Sequence, residues 1–226
     1  MNKSETTLTK KDFEKVCLQK LKLNLKPDQP QEASTRYQIA IAYLMHQLQS
    51  QEKRSLFLLT LTYQIRSDFA PKQDLMNRNF KRFYCSFFLP FLFETKHYNT
   101  NKRILQQPIT YSFLDEHKRK PHTTYGAAPL HHHAIVAATE STLPRLAFLL
   151  STDTFKDIDP NFFIATSDFK PCDPFATLYA SKSIKKYPDF LTFPKRLQSV
   201  LDRTPKFELE PELPTDLLLH QKPNLP

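Results

Sequence analysis

Three consecutive histidines begin the segment that most constrains the fold of this chain. Residues 129–138 read PLHHHAIVAA, in which the run of small and branched apolar residues predicts a buried strand. Alternate side chains of a strand share one face, so His131 and His133 are expected to point one way and His132 the other. Two imidazoles roughly 7 Å apart along one strand can bind a divalent cation, because imidazole is the commonest metal-binding side chain. The alternative interpretation is a polar strand end that is rich in histidine.

The composition excludes several classes of protein. Gly126 is the only glycine in 226 residues, which rules out a P-loop and a Rossmann glycine fingerprint. The net charge of +9 favours a polyanionic partner such as nucleic acid. Cys17, Cys85 and Cys172 form no CxxC pair, which indicates reduced thiols in a cytosolic protein. The N-terminus lacks the apolar core of a signal peptide, and the most apolar window, residues 85–93, is too short to span a membrane.

Hydrophobic periodicity predicts an α+β fold with one mainly antiparallel central sheet and helices packed on it. The predicted strands are 55–63, 91–94, 108–115, 130–138 and 161–166. The predicted helices are 11–23, 34–51, 71–89, 141–150 and 173–186, and Pro90 is expected to end the third of them. We expect three regions: a charged N-terminal extension at 1–33, a globular domain at 34–204, and a disordered tail rich in Pro and Glu at 205–226.

The last predicted helix carries a tyrosine and a lysine at helical spacing. Asp173 and Pro174 are typical of a helix start, with a capping side chain followed by proline at the first helical position. Tyr179 and Lys182 are three residues apart, so they are expected to share one helix face. A half-buried helix tyrosine with no chemical role is the alternative.

Three segments, taken in this order, resemble the motifs of the HUH endonucleases, in particular the replication initiators of rolling-circle plasmids and phages. They are the strand that ends TLTY at residues 60–63, the pair His131-x-His133, and Tyr179-x-x-Lys182. The resemblance spans about residues 55–190 and implies a nuclease domain with an HUH fold. The chain departs from the family pattern at His132, where a bulky apolar residue is usual, and we expect no helicase domain in the tail at 205–226.

The resemblance implies a divalent metal, Mg or Mn in preference to Zn, on His131 and His133. Family members usually add a carboxylate ligand, and the candidates here are Asp115, Glu116 or Glu94. We prefer the first two, because a hairpin between their strand and the histidine strand would bring them near His131. Imidazole ligands also suit zinc, so the choice of Mg or Mn comes from the resemblance alone.

The resemblance also implies that Tyr179 attacks a phosphodiester, which leaves a 5′-phosphotyrosine link and a free 3′-hydroxyl. Lys182 would assist, and Tyr187 is a weaker candidate because no lysine follows it three residues later. Basic residues that fit a DNA path are Lys102, Arg103, Lys118, Arg119, Lys120, Lys185 and Lys186.

The predicted activity is therefore metal-dependent nicking and strand transfer that starts rolling-circle replication of a plasmid or phage. The expected partners are single-stranded DNA at a replication origin and the host helicase and polymerase, with no membrane, in the bacterial cytoplasm. Two alternatives stay open: a transposase of the same superfamily, and a non-catalytic DNA-binding protein with a structural zinc on the histidines.

Overall fold

The computed structural model describes residues 8–23, 32–64, 72–98, 100–116, 127–151 and 164–194; of residues 64, 101–102, 127–129 and 150–151 it describes the backbone only. The described helices are α1 (Lys10–Lys20), α2 (Ala33–Ser50), α3 (Gln73–Phe83), α4 (Leu89–Phe93), α5 (Asn101–Ile104), α6 (Leu143–Ser151) and α7 (Ala176–Ala180). The described strands are β1 (Ser55–Gln64), β2 (Ile109–Glu116), β3 (Ala127–Ala138), β4 (Ile164–Pro171) and β5 (Leu191–Phe193). A π-helical turn joins α3 to α4, and a 3-10 turn precedes α6.

The strands form one five-stranded sheet in the order β4-β1-β3-β2-β5, and every neighbouring pair is antiparallel. This confirms the predicted α+β class with an antiparallel central sheet. The histidine strand, β3, lies in the middle of the sheet, between β1 and β2. Because β2 and β3 follow one another in the chain and pair directly, they form the hairpin that the sequence predicted.

The two faces of the sheet pack against different helices. On one face α3, α4 and α6 cover a core to which the strands contribute alternate residues, including Leu59, Leu61, Ala134 and Val136. The other face packs against α2 and α7. A second cluster of buried residues ties these last two helices to α1; its members are Phe13, Cys17, Leu18, Ile39, Ala42 and Leu178. The helix predicted within the N-terminal extension is therefore present, and its apolar side is buried.

The prediction that Pro90 ends a helix and that 91–94 forms a strand is wrong. The chain stays helical from α3 through the π-helical turn Tyr84–Phe88 into α4, which contains Pro90. Proline lacks an N–H and its ring clashes with the carbonyl four residues earlier in an α-helix. The π turn, in which the Leu89 N–H bonds to the Tyr84 carbonyl, changes the hydrogen-bond register immediately before Pro90. The helix ends instead at Glu94, whose backbone is left-handed at φ 51°.

The predicted helix 173–186 is shorter than expected, since α7 ends at Ala180 and turns follow. Asp173 accepts a hydrogen bond from the Ala176 N–H at 3.0 Å, as a helix-starting residue does. At the other end the side chain of Gln38 in α2 donates to the carbonyls of Leu178 and Ser181. A carbonyl bound by a side chain is satisfied without a further helical turn, so the helix can end there.

His132 packs into the core face, and it provides a test of this part of the fold. Its Nδ1 lies 2.7 Å from the hydroxyl of Tyr63 and its Nε2 lies 3.0 Å from Oδ1 of Asn77. Replacing His132 by Leu keeps the volume but leaves the buried Tyr63 hydroxyl without this partner and removes the bond to Asn77, so we expect the free energy of unfolding to fall by about 2–4 kcal/mol in urea titrations. Adding Tyr63→Phe to that variant should recover part of the loss, because the buried hydroxyl is then removed with its partner. A loss below about 0.5 kcal/mol would contradict the role assigned to these bonds.

Candidate metal centre

The strand register brings two histidines and one carboxylate to the same face of the sheet. Asp115 in β2 stands directly opposite His131 in β3, which in turn stands opposite Thr62 in β1. His133 is two residues further along and stands opposite Thr60. As predicted from strand alternation, His131 and His133 lie on one side while His132 lies on the other.

The three side chains converge through single atoms. Nε2 of His131 and Nε2 of His133 are 3.0 Å apart, and Oδ2 of Asp115 lies 3.4 Å from the first and 3.5 Å from the second. Two ligand atoms that bind one cation at about 2.1 Å, with an angle of 90–110°, stand about 3.0–3.4 Å apart. The donor set therefore fits a divalent metal, and a buried Asp-His-His group that could hold one is present in the described part of the chain.

Thr60 sets the orientation of one histidine. Its Oγ1 lies 3.0 Å from Nδ1 of His133. With a metal bound, Nδ1 would carry the ring proton and donate it to Thr60, so that the lone pair of Nε2 would be available to the cation. Thr60 of the first motif thus orients His133 of the second motif. A metal-binding histidine commonly has such a partner at its other ring nitrogen.

Asp115 is fully buried, and it stays ionised because cationic and polar groups surround it. Burial alone would raise the pKa of its carboxyl, but the hydrogen bonds from His131, His133, Lys182 and Ser183 hold that pKa far below its ordinary value. Nζ of Lys182 lies 2.6 Å from Oδ2, and Oγ of Ser183 donates to Oδ1. Burial lowers the pKa of Lys182, but the ion pair with Asp115 outweighs it and raises that pKa above the ordinary value.

Tyr179 lies at the same site, on the solvent side. Its ring centroid is 4.9 Å from that of His133, and Nζ of Lys182 is 4.4 Å from the ring centroid. The side chain is 52% exposed, so it is open to a ligand rather than part of the core. It borders a cleft of about 490 Å³, which is lined by Leu58, Thr60, Glu116, His131, His133, Asp168, Lys170, Tyr179 and Lys182.

Glu116 and Tyr187 form a separate pair beside this group. The Tyr187 hydroxyl donates to the Glu116 carboxylate at 3.2 Å, and Lys186 forms an ion pair with the same oxygen. Glu116 is therefore not one of the three converging ligands, although it was predicted together with Asp115 and it lines the cleft. Glu94, the third carboxylate considered, pairs with Arg145 on α6 and is not part of the group either.

The predicted DNA-binding residues are only partly described. Lys118, Arg119, Lys120 and the side chain of Lys102 lie outside the described residues. Arg103 belongs to α5, which comes just before the first residue of β2, whereas Asp115 lies near the last residue of that strand. The Arg103 guanidinium donates to the His97 carbonyl. Lys185 pairs with Glu32 at 3.1 Å, and Glu32 does not line the cleft. Lys186 pairs with Glu116, which does.

Sequence reasoning missed several residues at the site. Ser183 contacts Asp115, while Asp168 and Lys170 enter the cleft from β4. The strand was predicted to begin at residue 161 and end at 166, but it extends from Ile164 to Pro171, and 161–163 lie outside the described residues. The alternation of Thr166, Asp168 and Lys170 is the sequence signal that could have extended it.

No protein-family model, curated protein sequence or solved structure matches the chain. Among the described residues, no helix combines the length and the apolar character needed to cross a bilayer. The function is therefore inferred from the site itself.

The metal site can be tested by calorimetric titration with Mn²⁺. The variant His131→Ala/His133→Ala removes two of three donors, so we expect its affinity to fall by about 100-fold or more, beyond the 10- to 100-fold typical of losing a supporting partner. The variant His97→Ala changes an exposed histidine and should bind Mn²⁺ as the parent protein does. Unchanged binding by the double variant would rule out this site. Unfolding of the metal-free parent protein, followed by circular dichroism, would indicate a structural zinc.

Proposed function

We propose that this chain is a metal-dependent, single-strand DNA endonuclease and strand transferase of the HUH type, which initiates rolling-circle replication of a plasmid or phage. The observation that carries the proposal is the position of Tyr179, which is exposed in the same cleft as the buried Asp-His-His group and packs its ring against that of His133. A nucleophile beside a candidate metal centre is the arrangement that phosphodiester cleavage by covalent catalysis requires.

In the proposed reaction, the Tyr179 oxygen attacks the phosphorus of one phosphodiester. The bond from phosphorus to the 3′-oxygen breaks, so the 5′-phosphate becomes linked to the tyrosine. The phenol proton is released and the leaving oxygen takes up a proton to become a free 3′-hydroxyl. Attack by a 3′-hydroxyl on the phosphotyrosine reverses these bond changes and accounts for strand transfer.

The chain's own residues supply position and charge for this step. Asp115, His131 and His133 would hold the metal, which when bound supplies Lewis-acid stabilisation of the scissile phosphate. Lys182 connects the two parts of the site, since its ammonium contacts Asp115 and lies over the Tyr179 ring. A cation at this position stabilises the negative charge that develops on the phosphate. His133 supports the ring of Tyr179 from the sheet side.

The partners proposed are single-stranded DNA at a replication origin and the host helicase and polymerase, in the bacterial cytoplasm. The net charge of +9 supports a nucleic-acid partner.

The variant Tyr179→Phe tests the nucleophile by deleting one oxygen. Incubated with labelled single-stranded DNA and Mn²⁺, the parent protein should give a denaturant-resistant adduct, and Tyr179→Phe should give none while it binds DNA and metal as before. Tyr187→Phe is the matched control and should keep most of the activity. Lys182→Ala should form the adduct about 100- to 1000-fold more slowly, by analogy with the loss of one oxyanion donor. An adduct that persists in Tyr179→Phe, or disappears only in Tyr187→Phe, would show that the wrong tyrosine is assigned.

The basic segment after Glu116 provides a second test. If Lys118, Arg119 and Lys120 contact phosphates, replacing all three by Ala should reduce the slope of log affinity against log salt by about two to three, at about 0.7–0.9 per contact. Fluorescence anisotropy of a labelled oligonucleotide over a range of salt concentrations measures the slope. A slope equal to that of the parent protein would place these charges in solvent.

A further inference from the structure

Two charged residues of the edge strand β4 enter the cleft without belonging to any of the motifs. Asp168 stands opposite Thr60 of β1, and Lys170 stands opposite Leu58. Both side chains point to the face that carries His131 and His133, and both line the cleft. They pair with one another at 2.9 Å and are each more than half exposed, at 56% and 58%. Lys170 is therefore free to exchange its carboxylate partner for another anion.

Lys170 and Lys182 approach the cleft from opposite sides. The sheet order β4-β1-β3-β2 separates β4 from β2 by three strand spacings, or about 14 Å. Lys182 is held at the β2 side by Asp115, whereas Lys170 rises from β4. Tyr179 packs its ring against His133 of β3, which lies between these two strands. The tyrosine is thus placed between two ammonium groups.

The electrostatics agree with this placement. Asp168 raises the pKa of Lys170 through their hydrogen bond and its charge, and Tyr179 adds a smaller contribution in the same direction. Tyr179 also contributes to the raised pKa of Lys182, after the larger effects of burial and Asp115. Lys170, Lys182 and Tyr179 also line the same cleft.

We propose that Lys170 binds a phosphate of the DNA strand at the wall of the cleft opposite Lys182, so that the strand crosses the sheet between the two lysines and over Tyr179. The inference rests on the proposed function, and it names a contact that none of the three motifs contains. The ligand class is a phosphodiester of single-stranded nucleic acid. Its oxygen replaces the Asp168 carboxylate at the ammonium, exchanging one charge-assisted hydrogen bond for another. The cleft of about 490 Å³ lies within the range of pockets that hold small ligands.

The test compares Lys170→Ala and Lys170→Arg, each in the Tyr179→Phe background so that covalent capture does not affect binding. A labelled oligothymidylate is titrated by fluorescence anisotropy with Mn²⁺ present, over a series of salt concentrations. Lys170→Ala should reduce the slope of log affinity against log salt by about 0.7, the value for one contact to single-stranded DNA, and Lys170→Arg should restore it. Lys15→Ala removes the same charge from an exposed position on α1 and should leave the slope unchanged.

The outcomes separate this inference from the proposed function. A slope for Lys170→Ala equal to that for Lys15→Ala would overturn the Lys170 contact, whether or not the parent protein forms an adduct. If the slope falls as expected but the parent protein forms no adduct, the phosphate contact stands and the nicking activity is rejected. A parent protein that fails to bind the oligothymidylate would also overturn the Lys170 contact, whereas adduct formation alone decides the proposed function.

Discussion

One buried carboxylate holds the site together. Asp115 is fully inaccessible to solvent, and an unpaired carboxylate in such a place costs several kcal/mol. Its partners come from two separate parts of the chain, with His131 and His133 on β3 and with Lys182 and Ser183 in the turns after α7. The same interaction that makes its burial tolerable therefore joins the candidate metal ligands to the segment that carries Tyr179. A change at Asp115 would disturb both.

The histidine strand serves the core and the site at once, through the alternation of its side chains. His132 is buried among core residues, where burial, together with the charges of His131 and His133, lowers its pKa to about 3 and keeps it neutral. Its hydrogen bonds to Tyr63 and Asn77 tie β3 to β1 and α3. A slip of one residue would place His132 in the cleft and the two ligands in the core. The buried polar contacts thus fix the register on which the metal group depends.

The sequence predicted those features that follow from local periodicity. The alternation of the histidines, the hairpin of β2 and β3 and the antiparallel sheet were predictable, because a period of two and a short connection determine them. The sequence could not predict whether Asp115 or Glu116 faces the histidines. Adjacent residues of a strand point to opposite faces, and the choice between them requires the register of the strand pairing. The helix through Pro90 depends on a π turn, and Lys170 reaches the cleft only through the pairing of β4 with β1. The alternation of polar residues could have extended β4, but its pairing with β1 is a tertiary contact, and the hydrophobic pattern does not distinguish a π turn from an α-helical one.

The position of Tyr179 depends on helices that contribute nothing to the cleft. At five residues α7 is too short to be stable on its own, so packing must hold it. Leu178 supplies that packing by joining Phe13 and Ile39 in the cluster that α1 and α2 form. Gln38 adds a directional contact, donating to the Ser181 carbonyl at 2.9 Å. The charged N-terminal segment therefore affects the site indirectly, through its apolar side. That side completes the helix layer that holds α7, and the layer fixes which face of α7 is turned to His133.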